Sequence, residues 1–112
     1  MENGSVMRYP ENEASSPEKA YVYRRKSFFL GRDVWEMVVL GKSQVDNFRF
    51  VVLEIRSSDC SMEELAFHAE SMGIPVEVLG FEPSIHTLIR TGNPVPYYSS
   101  KIGSLGEGGF LG

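Results

Sequence analysis

The run of residues 48–55 constrains the fold of this chain more than any other segment. It is strongly β-prone, and an extended strand over this run places apolar side chains on both of its alternating faces. One face carries Phe48, Phe50 and Val52, and the other carries Val51, Leu53 and Ile55. A strand that is apolar on both faces belongs in the middle of a sheet, so we expect a neighbouring strand on each side of it.

Three further segments have strand character. Residues 21–30 and 34–40 are rich in apolar and aromatic side chains, and the short turn Gly31-Arg32-Asp33 between them predicts an antiparallel hairpin. Residues 74–79 alternate between apolar and other side chains, and Pro75 favours either the first pairing position or an edge strand. The chain therefore supplies four strands.

The best-defined helix follows the central strand. Ser61 and Glu64 have the spacing of a capping box, and Gly73 supplies the stop signal. The apolar stripe of this helix, which we expect to lie on the sheet, consists of Met62, Leu65, Ala66, Ala69 and Met72. Residues 83–91 fit either a strand or a short helix that ends at Gly92, and we favour the helix.

The order β-β-β-α-β-(α) predicts a two-layer α+β domain with a mixed sheet, since a helix between the third and fourth strands makes a parallel crossover available. With 112 residues, the chain has room for one core. We expect a flexible arm over residues 1–18, a single domain over residues 19–92, and a Gly/Pro-rich tail over residues 93–112.

The single cysteine excludes an internal disulfide framework and suits a reducing compartment. Because the sequence also contains neither a signal-peptide pattern nor a membrane-length apolar run, we expect a cytoplasmic protein. Cys60 precedes the helix cap, but neither His68 nor His86 can be placed beside it as a base, and the two histidines lack the carboxylate spacing of a metal site. We therefore expect no cofactor and no resident metal.

Charge is unevenly distributed along the chain. The formal net charge is -4, which argues against a dedicated duplex-binding domain. Residues 21–32 carry +4, from Arg24, Arg25, Lys26 and Arg32, whereas residues 57–82 carry -6. The basic hairpin fits phosphates, an acidic protein, or the acidic region of a second copy. The same cations also fit an edge strand, on which Lys and Arg serve only to prevent aggregation between sheets.

The segment 33–80 resembles the core order of the PD-(D/E)xK nucleases. The resemblance rests on Asp33 or Asp46, followed by Glu54 and Arg56 at the end of the central strand and then by a helix and a strand. It implies that the aspartate and Glu54 bind magnesium for phosphodiester cleavage, with Arg56 in the place of the family's lysine. That replacement departs from the pattern, because a guanidinium stays protonated. An acid and a base two residues apart are also an ordinary pair on one face of a strand.

Several apolar residues lie outside the predicted core. Phe67 points about 140° away from the apolar stripe of the helix, at 100° per residue. The glycine-rich tail carries the anchors Tyr97, Tyr98, Phe110 and Leu111, more than a plain linker would. These residues, together with the basic hairpin, are the predicted interaction surface, and they predict contact with another protein or a homo-oligomer.

The pattern as a whole favours a small non-enzymatic binding protein, a regulatory, inhibitory or adaptor module of cellular or viral origin. No motif supplies a nucleophile with its base, a complete metal set or a phosphate-binding loop. Two alternatives stay open at this point: a PD-(D/E)xK-like nuclease or an inactive relative, and a nucleic-acid binder that uses the basic hairpin.

Overall fold

The computed structural model describes residues 4–8, 15–27, 31–46, 48–58 and 61–97. Within them it contains five strands and two helices: β1 (Gly4–Arg8), β2 (Pro17–Ser27), β3 (Arg32–Lys42), β4 (Phe50–Ser58), α1 (Met62–Ser71), β5 (Val76–Val78) and α2 (Ile85–Thr91). The strands form one sheet in the order β1-β4-β3-β2-β5. All neighbours are antiparallel except β5, which runs parallel to β2. The predicted α+β fold with a mixed sheet is confirmed.

Strand β4 lies between β1 and β3, as its apolar faces predict. Its start is later than expected, because Phe48 belongs to the loop that precedes it. The Asp46 side chain accepts a hydrogen bond from the Phe48 amide, and the Arg49 amide donates to the Asp46 carbonyl, both at 3.0 Å. This turn holds the chain out of the sheet until Phe50.

Helix α1 begins and ends where its capping signals predict. The Ser61 hydroxyl accepts a hydrogen bond from the Glu64 amide at 3.2 Å, and Gly73 adopts a φ of 74° just beyond the helix. The Glu64 carboxylate, however, accepts a hydrogen bond from the Ser58 hydroxyl at 3.2 Å. Glu64 therefore joins the start of α1 to the end of β4.

The two helices cover opposite faces of the sheet. The buried core between α1 and the sheet consists of Ala20, Val22, Met37, Val39, Leu65 and Ala69. The buried core between α2 and the sheet consists of Tyr21, Tyr23, Val38, Leu40, Val52, Leu79 and Leu88. The predicted two-layer arrangement thus holds for α1 and the sheet, and α2 adds a third, smaller layer. The third layer forms because β2, β3 and β4 carry apolar side chains on both faces, so both faces of the sheet must be covered.

The ends of the described chain also contact the sheet and α2. Residues 4–8, within the predicted flexible arm, form β1 because their backbone pairs with the side of β4 that β3 leaves open. At the other end, the Tyr97 amide donates to the Glu82 carbonyl and the Ser84 amide donates to the Val95 carbonyl, both at 2.8 Å.

Neither helix of the described ranges is long and apolar enough to span a bilayer.

Candidate functional site

Helix α1 has a second row of side chains, which faces away from the centre of the sheet. Glu64, Phe67, His68 and Ser71 follow helical i, i+3, i+4, i+7 spacing. This row lies roughly 140° around the helix from the buried apolar stripe, at 100° per residue. It borders the β4–β1 side of the sheet, where it forms one wall of a groove.

The groove, here called the α1 groove, has a volume of about 250 Å³. Strands β1 and β4 form the floor and the opposite wall, because Val6 pairs with Arg56 and antiparallel partners share a face. Its lining residues are Val6, Arg56, Ser57, Ser58, Glu64, Leu65, Phe67, His68 and Ser71. Of these residues, Leu65 and Ser58 are buried, Arg56, Ser57 and His68 are half-buried, and the remaining four are exposed.

Glu54 anchors the polar groups of the groove. Its residue surface is only 8% exposed, and its Oε2 accepts a hydrogen bond from Arg56 Nε at 2.7 Å. His68 Nε2 lies 3.2 Å from the same oxygen, and Arg8 Nε lies 4.0 Å from Oε1. A buried carboxylate needs such partners, so Glu54 holds Arg56 and His68 in place.

Two groups above Glu54 keep unused hydrogen-bonding capacity. Arg56 uses only Nε, and in the described part of the chain its two terminal nitrogens donate no hydrogen bond. His68 Nε2 is buried, and despite its distance of 3.2 Å to Glu54 the alignment misses that of a hydrogen bond. Of the two, Arg56 is the group whose terminal nitrogens can donate to a ligand that enters the α1 groove, because His68 Nε2 is buried against Glu54.

The rim of the groove carries two exposed apolar side chains, beside the exposed Glu64 and Ser71. Phe67 is 72% exposed and Val6 is 45% exposed. Phe67 is a predicted interaction residue, and the structure places it beside Arg56, which the resemblance to the nucleases had singled out for a different reason. Exposed apolar side chains beside the accessible donors of Arg56 are typical of a recognition site, in which apolar contact supplies affinity and the donors fix orientation.

The structure does not assemble the metal site that the nuclease resemblance implies. Asp33 lies six residues along β3 from Val39, the partner of Glu54, which corresponds to about 20 Å at about 3.3 Å per residue. Asp46 lies beyond the opposite end of β4, in the loop before Phe50, where it accepts a backbone hydrogen bond. Among the described residues, no group of three His, Cys, Asp or Glu side chains is placed to hold a metal ion.

The four cations of the predicted basic hairpin do not form one surface. Arg24 lies 5.1 Å from the centre of the Trp35 ring and 3.7 Å from Asp33. Arg25 lies on the opposite face, where its Nε donates to Glu36 at 2.6 Å. Lys26 and Arg32 are exposed, and the paired positions place them on different faces of the hairpin. The +4 of this segment is therefore divided between the two sides of the sheet.

A second polar cluster lies on the α2 face. Glu36 is 8% exposed and accepts hydrogen bonds from Arg25 on one oxygen and from the Tyr23 hydroxyl, at 2.7 Å, on the other. Burial, followed by the charge of Glu36, raises the pKa of Tyr23, and the hydrogen bond to Glu36 raises the pKa of Arg25. Burial and repulsion from Glu36 also raise the pKa of Glu82. Both oxygens of Glu36 are occupied, so this cluster is closed.

Of the predicted tail anchors, the structure describes Tyr97, which is 44% exposed. Tyr98, Phe110 and Leu111 lie outside the described residues, as does Cys60. Comparisons with known protein families, with curated proteins and with solved structures find no match to this chain.

Val6, Arg8 and His68 were not predicted as site residues. Val6 reaches the groove, and Arg8 reaches Glu54, through the pairing of β1 with β4, and a contact between such distant segments has no local signal. His68 had a signal, because its spacing from Glu64 and Phe67 places all three on one side of α1.

Proposed function

We propose that this protein is a non-enzymatic binding module, of regulatory, inhibitory or adaptor type, that holds a segment of a partner protein in the α1 groove. The observation that carries the proposal is the 72% exposure of Phe67 at the rim of a groove whose base presents Arg56. A large exposed aromatic side chain beside a partly buried arginine is the composition that protein interfaces favour.

The chemistry of Glu54 supports binding over catalysis. Its Oε2 already accepts a hydrogen bond from Arg56 Nε, and His68 Nε2 lies 3.2 Å from the same oxygen, so this carboxylate is enclosed by the chain's own groups and does not stand free to take a proton from a substrate. The other acids of the nuclease pattern, Asp33 and Asp46, lie toward the two ends of the sheet. The positions of these three acids therefore support recognition over the cleavage chemistry that the resemblance implies.

The groove also indicates what its partner presents. An apolar side chain fits against Phe67 and Val6, and a neighbouring carboxylate fits the terminal nitrogens of Arg56. Burial of one large apolar side chain contributes about 1.5–3 kcal/mol. A hydrogen bond to a charged group contributes about 1.5–3 kcal/mol more. A contact of this size is that of a weak, reversible complex.

Selection from a displayed library of random peptides tests the proposal. We expect enriched peptides to share an acidic residue flanked by apolar ones. Titration of a labelled selected peptide should show a loss of at least about tenfold in affinity for Phe67→Ser and for Arg56→Gln. Val78→Ser is the matched control, because Val78 is an exposed apolar residue, 48% exposed, on the distant edge strand β5.

The proposal fails if the selected peptides bind Phe67→Ser and Arg56→Gln as tightly as the wild type. It fails equally if Val78→Ser weakens binding as much as Phe67→Ser does. Far-ultraviolet circular dichroism of each variant separates loss of binding from loss of fold.

A further inference from the structure

We infer that the α1 groove takes the β3–β4 loop, residues 43–49, of a second copy of this chain. The inference rests on the proposed function, since it names the occupant of the same groove. Four features of the loop support it: its exposed apolar tip, its central carboxylate, its flanking charges and its distance from the groove of its own molecule.

The tip of the loop carries two apolar side chains that are almost fully exposed. Val45 is 98% exposed and Phe48 is 87% exposed. The loop is nevertheless held by its own hydrogen bonds: the Ser43 hydroxyl accepts from the Val45 and Asp46 amides at 3.2 and 3.0 Å. These contacts hold Val45 and Asp46 beside Ser43, which reduces the ordering that docking of Val45 requires.

The loop matches the chemistry that the groove selects. Asp46 lies between Val45 and Phe48, which gives the order apolar, acidic, apolar. One Asp46 oxygen accepts the Phe48 amide, and within the described ranges no cation pairs with this carboxylate. The other oxygen is left to accept from the terminal nitrogens of Arg56, while Phe48 packs against Phe67.

The charges around the two surfaces are complementary as well. Lys42 and Arg49 flank the loop, and both are exposed. On helix α1, Glu63, Glu64 and Glu70 are exposed, and Glu64 lines the groove. Cations on the loop therefore face acids on the helix when the loop of one copy enters the groove of another, and such pairs set orientation and association rate more than affinity.

The loop cannot fill the groove of its own molecule. It joins β4 at Phe50, whereas the groove lies at Arg56, six residues further along the same strand. The separation is about 20 Å at about 3.3 Å per residue. A single contact between a loop and a groove is head-to-tail and leaves a free groove on one copy and a free loop on the other, so association continues to chains or closes to rings.

The size of the groove fits this occupant. Its volume of about 250 Å³ is below the range of about 300–1,000 Å³ that is typical of small-molecule sites, and it suits one or two side chains. The groove therefore accepts a loop tip without needing to open.

Light scattering and sedimentation of the full chain test the inference. The wild type should show a mass that rises above that of the monomer as concentration increases. Phe48→Ser and Phe67→Ser should each weaken association by at least about tenfold, and Val78→Ser should leave it unchanged. Deletion of residues 101–112 should also leave it unchanged. Loss of association in that deletion would overturn the inference in favour of the tail.

Mixing the two deficient variants gives the sharpest result. Phe48→Ser keeps an intact groove and Phe67→Ser keeps an intact loop, so a mixture of equal amounts should form a heterodimer that stops at two copies. A symmetrical contact between like surfaces would not be restored by mixing, and that result would overturn the inference. A wild type that stays monomeric while selected peptides still bind the groove would also overturn it and leave the proposed function standing.

Discussion

Replacement of Arg56 by Gln should destabilise the fold more than replacement of its partner Glu54 by Gln. Loss of one member of a fully buried ion pair costs about 3–5 kcal/mol, because the other charge stays buried. Here Arg8 at 4.0 Å and His68 at 3.2 Å still face the Glu54 carboxylate, so we expect about 2–3 kcal/mol for Arg56→Gln. The Arg56 side chain is 24% exposed and opens into the groove, so Glu54→Gln leaves a cation that water reaches, at a cost of about 1 kcal/mol.

Urea unfolding followed by far-ultraviolet circular dichroism measures both values, with an unchanged slope as the sign that only stability has changed. Arg24→Gln is the matched control, since Arg24 and Asp33 form a half-exposed pair at 3.7 Å and its loss should cost less than about 1 kcal/mol. The interpretation of Glu54 as a buried anchor is refuted if Arg56→Gln costs no more than Arg24→Gln. It is refuted also if Glu54→Gln costs more than Arg56→Gln.

Two further predictions concern the α2 side of the molecule. Burial and then repulsion from Glu36 raise the pKa of Glu82, so the Glu82 carboxyl binds its proton more tightly in the folded state than in the unfolded state. The free energy of unfolding therefore falls as pH rises from the ordinary pKa of 4.5 through the raised pKa. Glu82→Gln should therefore be more stable than the wild type at pH 7, by less than about 1 kcal/mol because solvent screens the carboxylate, and as stable as the wild type near pH 4. Urea unfolding at both pH values measures the two differences. A stability difference that does not change with pH would contradict the prediction. Gly92→Ala should cost at least about 2 kcal/mol in thermal or urea unfolding, because φ is 74° and the added Cβ would meet the Phe50 ring. Gly73→Ala has the same φ with open space around it and should cost about 1 kcal/mol, so equal losses would contradict the steric reasoning.

The parts of the fold with local signals were predictable from the sequence. The capping spacing of Ser61 and Glu64 located α1, and Gly92 ended α2 as expected, with a φ of 74°. The start of β4 was predicted too early, because a Phe in a β-prone run favours a strand and the side chain of Asp46 outweighs that preference locally. Strand β1 has no comparable signal, since it forms through its partner β4.

The candidate site was predictable only in parts. Phe67 stood out because it lies off the apolar stripe of α1, and Glu54 and Arg56 stood out as an acid and a base on one strand face. No local pattern predicted that Phe67, Glu54 and Arg56 lie close together. Their proximity depends on the order of strands in the sheet and on the side of the sheet that α1 covers. The same limit applies to Val6, which completes the groove from the other end of the chain.

A comparison of the two buried carboxylates explains why the α1 face carries the candidate site. Glu36 and Glu54 are buried to the same degree, on adjacent strands and opposite faces, and each accepts a hydrogen bond from an arginine Nε. On the α2 face, Tyr23 occupies the second oxygen of Glu36, so a polar ligand finds no remaining partner at that carboxylate. On the α1 face, Arg56 Nε donates to one oxygen of Glu54, and in the described part of the chain the terminal nitrogens of Arg56 donate no hydrogen bond. The Arg56 side chain is 24% exposed, so a ligand that enters the groove can reach these nitrogens in place of water, and the open cluster favours an occupant from outside the molecule where the closed one of Glu36 does not.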